Sequence, residues 1–225
     1  MIPVVFDHPD FIIIDKPANL PFHGQQTAKG YQLGIVDLIA QQTQQKLWPV
    51  HRLDTMTSGL LILAKHAKSA AKFGGLFHQK RIQKFYLALS QQKPKKKQGW
   101  VKGDMKPARR GNFKLCSSME NPAITQFISV SIAPSLRLFL LKPHTGKTHQ
   151  LRVMMKSLGS AINGDIRYQS AELAQHHDRG YLHAFALQFE WHDQVIEVSS
   201  LPTEGTLFNQ ATAKILQWQK PWLYI

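Results

Sequence analysis

Seven apolar runs of strand length limit what this chain can fold into. They are FIIID (11–15), GLLILAK (59–65), QKFYLAL (83–89), residues 124–132, residues 136–142, LHAFALQFEW (182–191) and QVIEVSS (194–200). Each ends in a polar or Gly/Pro-bearing turn, as strands do. None approaches the roughly 18 to 20 apolar residues that a membrane-spanning helix needs. Helical patterns interrupt the series at 34–45, at 69–80, after PHTGK and near 206–218. In the third of these, Leu151, Met154, Met155 and Leu158 fall at i, i+3, i+4 and i+7, with His149, Arg152 and Lys156 on the other side. Thr148 is the expected N-cap and Gly159 the expected stop. Many strands with a few helices and no regular βαβ alternation predict an α+β fold, more antiparallel than doubly wound. No repeat or long linker divides the 225 residues, so one domain is expected.

Hydrophobic residues make up 43% of the chain, enough for a packed core. The formal charge of +14 is clustered. Residues 93–114 hold nine Lys or Arg against one acid, Asp104. Such a surface suits a polyanion. Lys95, Lys96, Lys97, Lys102, Lys106, Arg109 and Arg110 are the expected RNA-binding patch, with Trp100 and Phe113 beside them for base stacking. The one cysteine, Cys116, excludes an intrachain disulfide and a multi-cysteine zinc site. The first 20 residues carry Asp7, Asp10 and Asp15 and lack the pattern of a signal peptide, so a cytoplasmic protein with no membrane partner is expected.

Two motifs do not carry the chemistry that they suggest. GKTH (146–149) lacks the glycine that a phosphate loop needs five positions earlier, because position 141 is Leu. HHDRGYLH (176–183) matches no common zinc spacing and reads as a polar loop. The informative segment is HRLDTMTSGLLILAK (51–65), which sets Asp54 behind His51 and Arg52 and ahead of a buried strand. Taken alone, an Asp before Thr reads first as a turn or cap residue. Arg152 on a helix can hold such a carboxylate ionised, and in an extended chain Tyr86 shares its face with Lys84 and Ala88.

These segments resemble the RluA-type branch of the pseudouridine synthases. HRLDTMTSGLLILAK resembles that branch's catalytic motif, where the sister RsuA-type branch begins with Gly in place of His51. KFYLAL resembles the tyrosine motif, PHTGKTHQLRV and LGSAINGDIRY the long third motif, and KPANLPFHG and LHAFALQFE the flanking blocks. The series runs in family order from about residue 11 to 191. It implies a pseudouridine synthase catalytic fold over 1–225: a long, mixed, mostly antiparallel sheet with flanking helices and a central cleft, with no separate N-terminal RNA-binding domain.

The resemblance implies that Asp54 is the catalytic aspartate, that Tyr86 stacks near the uracil and serves in proton transfer, and that Arg152 is the partner of Asp54. Arg52 would help hold the target nucleotide out of its helix, Leu182 would form an aliphatic floor under the base, and His51, Thr57, Lys84, Lys147 and His149 would complete the substrate-binding set. Departures from the family pattern are Lys147 for Arg, Met154 for His, and SAIN (160–163) where a Pro is usual; they bear on substrate choice more than on chemistry. The implied reaction detaches uracil at nitrogen, turns it and rejoins it through carbon 5, with no net redox change or hydrolysis. No cofactor or metal is expected.

Asp54 could act on the sugar or the base as nucleophile, or as a general base. The target uridine must be extruded at a cost of roughly a few kcal/mol. The expected RNA is ribosomal, with 23S favoured, or transfer RNA, and a monomer is expected. Two rivals remain. One is an inactive RNA-binding protein of the same fold. The other is an aspartate-dependent glycosidase, which would need a second carboxylate brought beside Asp54 by the fold.

Overall fold

The computed structural model describes residues 1–28 and 30–225. The chain opens with β1 (Val4–His8) and β2 (Phe11–Lys16), followed by a small hairpin of β3 (Gln25–Thr27) and β4 (Gly30–Gln32). Helix α1 (Ile35–Thr43) leads to β5 (Trp48–Pro49), the HRLD loop and β6 (Ser58–Ala64). Helix α2 (Ala67–His78) and β7 (Gln83–Ser90) follow, then β8 (Gln98–Gly103), β9 (Met105–Pro107), β10 (Phe113–Leu115), β11 (Ala123–Ala133) and β12 (Leu136–Pro143). The last third holds α3 (Gln150–Ser157), α4 (Ala171–Gln175), β13 (Leu182–Trp191), β14 (Gln194–Ser199) and α5 (Thr206–Gln217).

Ten strands form one sheet in the order β1-β2-β6-β13-β7-β12-β11-β8, with β14 beside β13 and β5 beside β6. Every pairing in it is antiparallel except that of β6 with β13, where Ser58 and Gly59 lie opposite His183 and Ala184. The expected mixed, mostly antiparallel α+β architecture is therefore present.

Strands β2 and β6 are apolar at nearly every position because both of their faces are covered. Phe11, Ile13, Leu60 and Ile62 pack with Phe73 of α2 and Trp191, whereas Ile12, Ile14, Leu61 and Leu63 pack with Ile35 and Ile39 of α1. Strand β7 alternates as predicted at its start. Phe85 and Leu87 are buried, and Lys84 and Tyr86 are half-buried on the other face. Ala88, expected on the polar face, is fully buried where β13 and β12 close over the strand. The third core joins Leu87, Leu89, Phe127 and Phe139 to Leu151, Met154 and Met155 of α3 and Phe208 of α5. Met154, one of the departures noted above, is simply a core residue.

Gly59 makes the β6–β13 crossing possible. Its φ of +105° and its place against Ala184 leave no room for a side chain: a Cβ there would lie 2.3 Å from the Ala184 carbonyl oxygen. This close approach sets the loop before β6 against the start of β13.

One expectation about α3 needs correction. The N-cap is His149, in the left-handed region at φ 58°, rather than Thr148. Arg152 is buried against two carboxylates, Asp54 and Asp165, whereas Lys156 on the same polar side is exposed. The stretch HHDRGYLH is likewise not a solvated loop throughout. Arg179, Tyr181 and His183 are buried. Among the described residues, no helix is long and apolar enough to cross a membrane.

Candidate active site

A cleft of about 680 Å³ opens where β6, β7 and β13 meet the loop before α3. Asp54, Tyr86, Arg152, Arg52, His51, Thr57, Lys84, Lys147, His149 and Leu182 all line it, so the structure brings together every cleft residue named from sequence. The seven patch residues lie outside this cleft.

Asp54 sits in a tight turn closed by the Thr57 N–H donating to its carbonyl at 3.0 Å. Leu53 anchors the turn in the α1 core. From below, the fully buried Lys16 donates through Nζ to the carbonyls of Thr55 (3.2 Å), Leu20 (2.8 Å) and Pro17 (2.9 Å), tying the KPANL loop to the turn. Burial and Arg179 pull the Lys16 pKa down to about 7, against the opposing pull of Asp54 and Glu204. Sequence reading gave Lys16 no part in the site; a lysine ending a strand of buried isoleucines is the signal that it is satisfied internally.

Arg152 Nη1 donates to Asp54 Oδ2 at 3.0 Å. Its Nε and Nη2 form a fork on the two oxygens of Asp165, both at 2.8 Å. Exposure falls from 22% for the Asp54 side chain through 5% for Arg152 to 0% for Asp165. Asp165 thus fixes the guanidinium plane from the interior, leaving one N–H edge for the carboxylate at the cleft. Asp165 was not singled out from sequence, although it lies in the quoted LGSAINGDIRY block; a buried helical arginine is the signal that a second carboxylate must exist.

This geometry bears on the glycosidase reading. Asp165 is the only carboxylate besides Asp54 that an ion pair with Arg152 brings into this group among the described residues. Both its oxygens are taken by Arg152, and Oδ1 also accepts from the N–H groups of Arg167 and Tyr168. Buried and saturated, it has no route to a leaving group and is not a general acid.

Tyr86 on β7 lies opposite Ala184 of β13 and Leu141 of β12. Burial first, then the charge of Asp54, raises its phenol pKa above the ordinary value, so the hydroxyl keeps its proton. Burial and Lys84 push His51 down to about 3; its Nε2 accepts the Ile62 N–H at 2.9 Å, which requires the neutral ring. Burial lowers Lys84 as well. Arg52 is exposed at the rim, its guanidinium 5.9 Å from the Phe22 ring centroid.

The far wall is the PHTGKTH loop. Gln150, buried and also missed from sequence, holds it: Oε1 accepts from the Thr145 hydroxyl (2.7 Å) and the Lys147 N–H (3.0 Å), and Nε2 donates to Ile124 O (3.1 Å) and Thr125 Oγ1 (3.0 Å). Lys147 Nζ reaches Asn121 Oδ1 at 2.6 Å, and His149 Nδ1 bonds the Tyr168 hydroxyl at 2.9 Å. Among the described residues that line it, the cleft therefore presents one carboxylate, Asp54, among cations and apolar surfaces. Among the described residues, no group of three or more His, Cys, Asp and Glu is arranged to hold a metal ion.

Residues 10–157 match the RNA pseudouridylate synthase family. The chain is 53% identical over 212 residues to a Haemophilus influenzae protein named an uncharacterised RNA pseudouridine synthase, covering 94% of this chain and 92% of that one. It is 34% identical over 186 residues to the ribosomal large subunit pseudouridine synthase C of Rickettsia bellii, covering 80% of this chain and 61% of that longer relative. Among solved structures, human RNA pseudouridylate synthase domain containing 4 superposes with a TM-score of 0.73 at 24% identity, over 95% of this chain and 92% of that one. Human RNA pseudouridylate synthase domain containing 1 gives the same TM-score and identity over 89% and 83%. These two likenesses establish the fold.

Proposed function

The chain belongs to the RNA pseudouridylate synthase family, whose members are isomerases acting on RNA, and we propose that it converts uridine in structured ribosomal or transfer RNA to pseudouridine with Asp54 as the catalytic group. The observation that carries this reading is the Asp54–Arg152 pair at 3.0 Å, open to a cleft that also holds Tyr86 and Leu182. Ribosomal RNA of the large subunit is the favoured pool, by similarity to the Rickettsia relative.

In this reading the target uridine is flipped into the cleft, where Leu182 forms an apolar floor and the Tyr86 ring packs beside the base. Asp54 attacks the sugar or the base, or removes a proton from the sugar, and the bond from ribose to nitrogen breaks. The uracil turns and bonds through carbon 5, any bond to Asp54 breaks, the hydrogen at carbon 5 leaves as a proton, and N1, freed from the sugar, takes one up. Atoms and electrons balance within the substrate. The protonated Tyr86 hydroxyl suits proton transfer at this stage.

Arg152 lowers the cost of keeping a carboxylate charged once the base covers it. Arg52, His51, Thr57, Lys84, Lys147 and His149 line the path of the nucleotide. Lys95, Lys96, Lys97, Lys102, Lys106, Arg109 and Arg110 extend the cationic surface for flanking phosphates. The same reading takes residues 1–225 as one catalytic unit working as a monomer in the cytoplasm.

The test is to incubate the protein separately with unmodified ribosomal and transfer RNA and to map pseudouridine in each. New pseudouridine at discrete positions in one pool supports the reading and names the substrate. RNA binding without new pseudouridine in either pool favours a binding protein on this fold, and release of free uracil favours the glycosidase.

A further inference from the structure

A second cavity, of about 580 Å³, adjoins the cleft along α3. Gln150, Leu151 and Arg152 of that helix line the cleft, whereas Val153, Lys156 and Ser157 line the second cavity. Its outer wall is the turn and strand of the β9–β10 hairpin, from Ala108 to Leu115. The hairpin tip holds its shape because Arg110 and Gly111 are both left-handed, and Arg167 Nη1 donates to the Arg110 carbonyl at 3.1 Å.

Three features point to the occupant. Lys95, Arg109, Lys114 and Lys156 line the cavity, no Asp or Glu does, and none of the four is in an ion pair among the described residues. Phe113, half-buried, gives the same space an aromatic wall. Asn112 donates Nδ2–H to Arg167 O at 3.3 Å, but its Oδ1 is buried with no hydrogen-bond partner among the described residues. An unsatisfied amide oxygen asks for a hydrogen-bond donor. A bare phosphate leaves the aromatic wall without a partner, whereas a nucleotide supplies phosphate for the cations, a π-face for Phe113 and a base N–H for Asn112.

The cavity also touches the chemistry through one residue. Tyr168 lines it, accepts the Phe113 N–H at 3.0 Å and bonds His149 in the cleft at 2.9 Å. Its ring lies 5.1 Å from the Arg152 guanidinium and 5.9 Å from the Lys156 ammonium.

We infer that this cavity holds a second nucleotide of the RNA substrate, a few positions from the target uridine, with its base read by Asn112 and its phosphate held by Lys95, Arg109, Lys114 and Lys156. The inference rests on the reading that RNA is the substrate, but not on isomerisation.

The experiment compares the affinity of ribosomal and transfer RNA for three variants across a salt series. Lys114→Glu/Lys156→Glu is expected to weaken binding of the substrate pool and to reduce the salt slope by about two. Asn112→Leu, which removes the amide from the half-buried hairpin position, is expected to weaken binding about tenfold without changing that slope. Lys68→Glu/Lys220→Glu makes the same charge change on exposed residues elsewhere.

Equal weakening by both double variants, with Asn112→Leu silent, would overturn the proposal in favour of diffuse charge. Titration with the four ribonucleoside 5′-monophosphates separates the other source. Tight binding of a free mononucleotide that these variants abolish, with RNA affinity untouched, would also overturn it. Loss of RNA affinity in a protein that forms no pseudouridine would leave the pocket standing and remove the isomerase reading.

Discussion

Replacing Asp165 tests whether the Asp54 carboxylate is positioned from the interior. Asp165 is fully buried, 2.8 Å from two nitrogens of Arg152, which is itself 5% exposed. Asp165→Ala leaves the guanidinium in low dielectric with two of its three carboxylate hydrogen bonds gone, a change that costs about 3 to 5 kcal/mol. With a urea m-value of about 2 kcal/mol/M, the unfolding midpoint falls by roughly 2 M. Activity falls further than stability explains. Without the fork Arg152 is free to turn toward Asp54, and a displacement of about 1 Å at reacting groups costs on the order of 10²-fold in rate. Pseudouridine formation measured well below the new midpoint reads this loss. The double variant Arg152→Met/Asp165→Leu, which replaces the pair by apolar groups, should be more stable than Asp165→Ala while remaining inactive. The reasoning is refuted if Asp165→Ala unfolds within about 1 kcal/mol of wild type, within the range of an ordinary surface change, or keeps its full rate.

Three further outcomes are expected. Tyr86→Phe keeps the fold, since the ring and its strand remain, but lowers the rate by roughly 10² to 10⁴ through loss of a proton-transfer group; because the Tyr86 pKa is raised, the wild-type rate shows no fall from phenol ionisation up to about pH 10. Acid weakens the fold through His183, whose Nδ1 meets Ser58 Oγ at 2.7 Å and whose Nε2 meets Ser200 O at 2.8 Å, and which burial pushes down to about 4. Between about pH 6.5 and 4 the unfolded chain takes up a proton that the folded ring refuses, so stability is intact above 6.5 and about 2 kcal/mol is lost by pH 5; urea curves at pH 7.5 and 5 should show this component in wild type and lose it in His183→Gln. Gly59→Ala should cost at least about 3 kcal/mol, read as loss of soluble protein or of thermal midpoint, because its Cβ meets the Ala184 backbone.

Much of this molecule was legible because its local and global signals agree. The unbroken apolar runs at 11–14 and 60–64 do mark strands covered on both faces, and the alternation through Lys84, Phe85, Tyr86 and Leu87 does put the tyrosine in the cleft. What sequence missed are partners made only by tertiary contact. Helical periodicity put Arg152 on a polar face, but periodicity cannot tell a face that meets water from one that meets buried carboxylates. Asp165 reaches that face from 13 residues away, whereas Asp54, 98 residues away, was named as its partner through the family resemblance alone. Lys16 and Gln150 were hidden for the same reason, since each satisfies several backbone groups that are remote in sequence or lie in a loop without pattern. The buried state of Arg179 and His183 depends on Ser58, which accepts from the Arg179 guanidinium at 2.7 Å and sits on a strand more than 100 residues earlier.

The central claim is that Asp54 performs the isomerisation in the cleft it shares with Tyr86 and Arg152. Bond formation at carbon 5 expels the hydrogen held there, so RNA carrying tritium at carbon 5 of uridine reports the step as tritium released to water. With ribosomal and transfer RNA so labelled, wild type is predicted to release tritium from the substrate pool to a plateau set by its target uridines. Asp54→Ala is predicted to release none while binding the same RNA with an affinity close to wild type. Tritium release by Asp54→Ala at the wild-type rate would contradict the account.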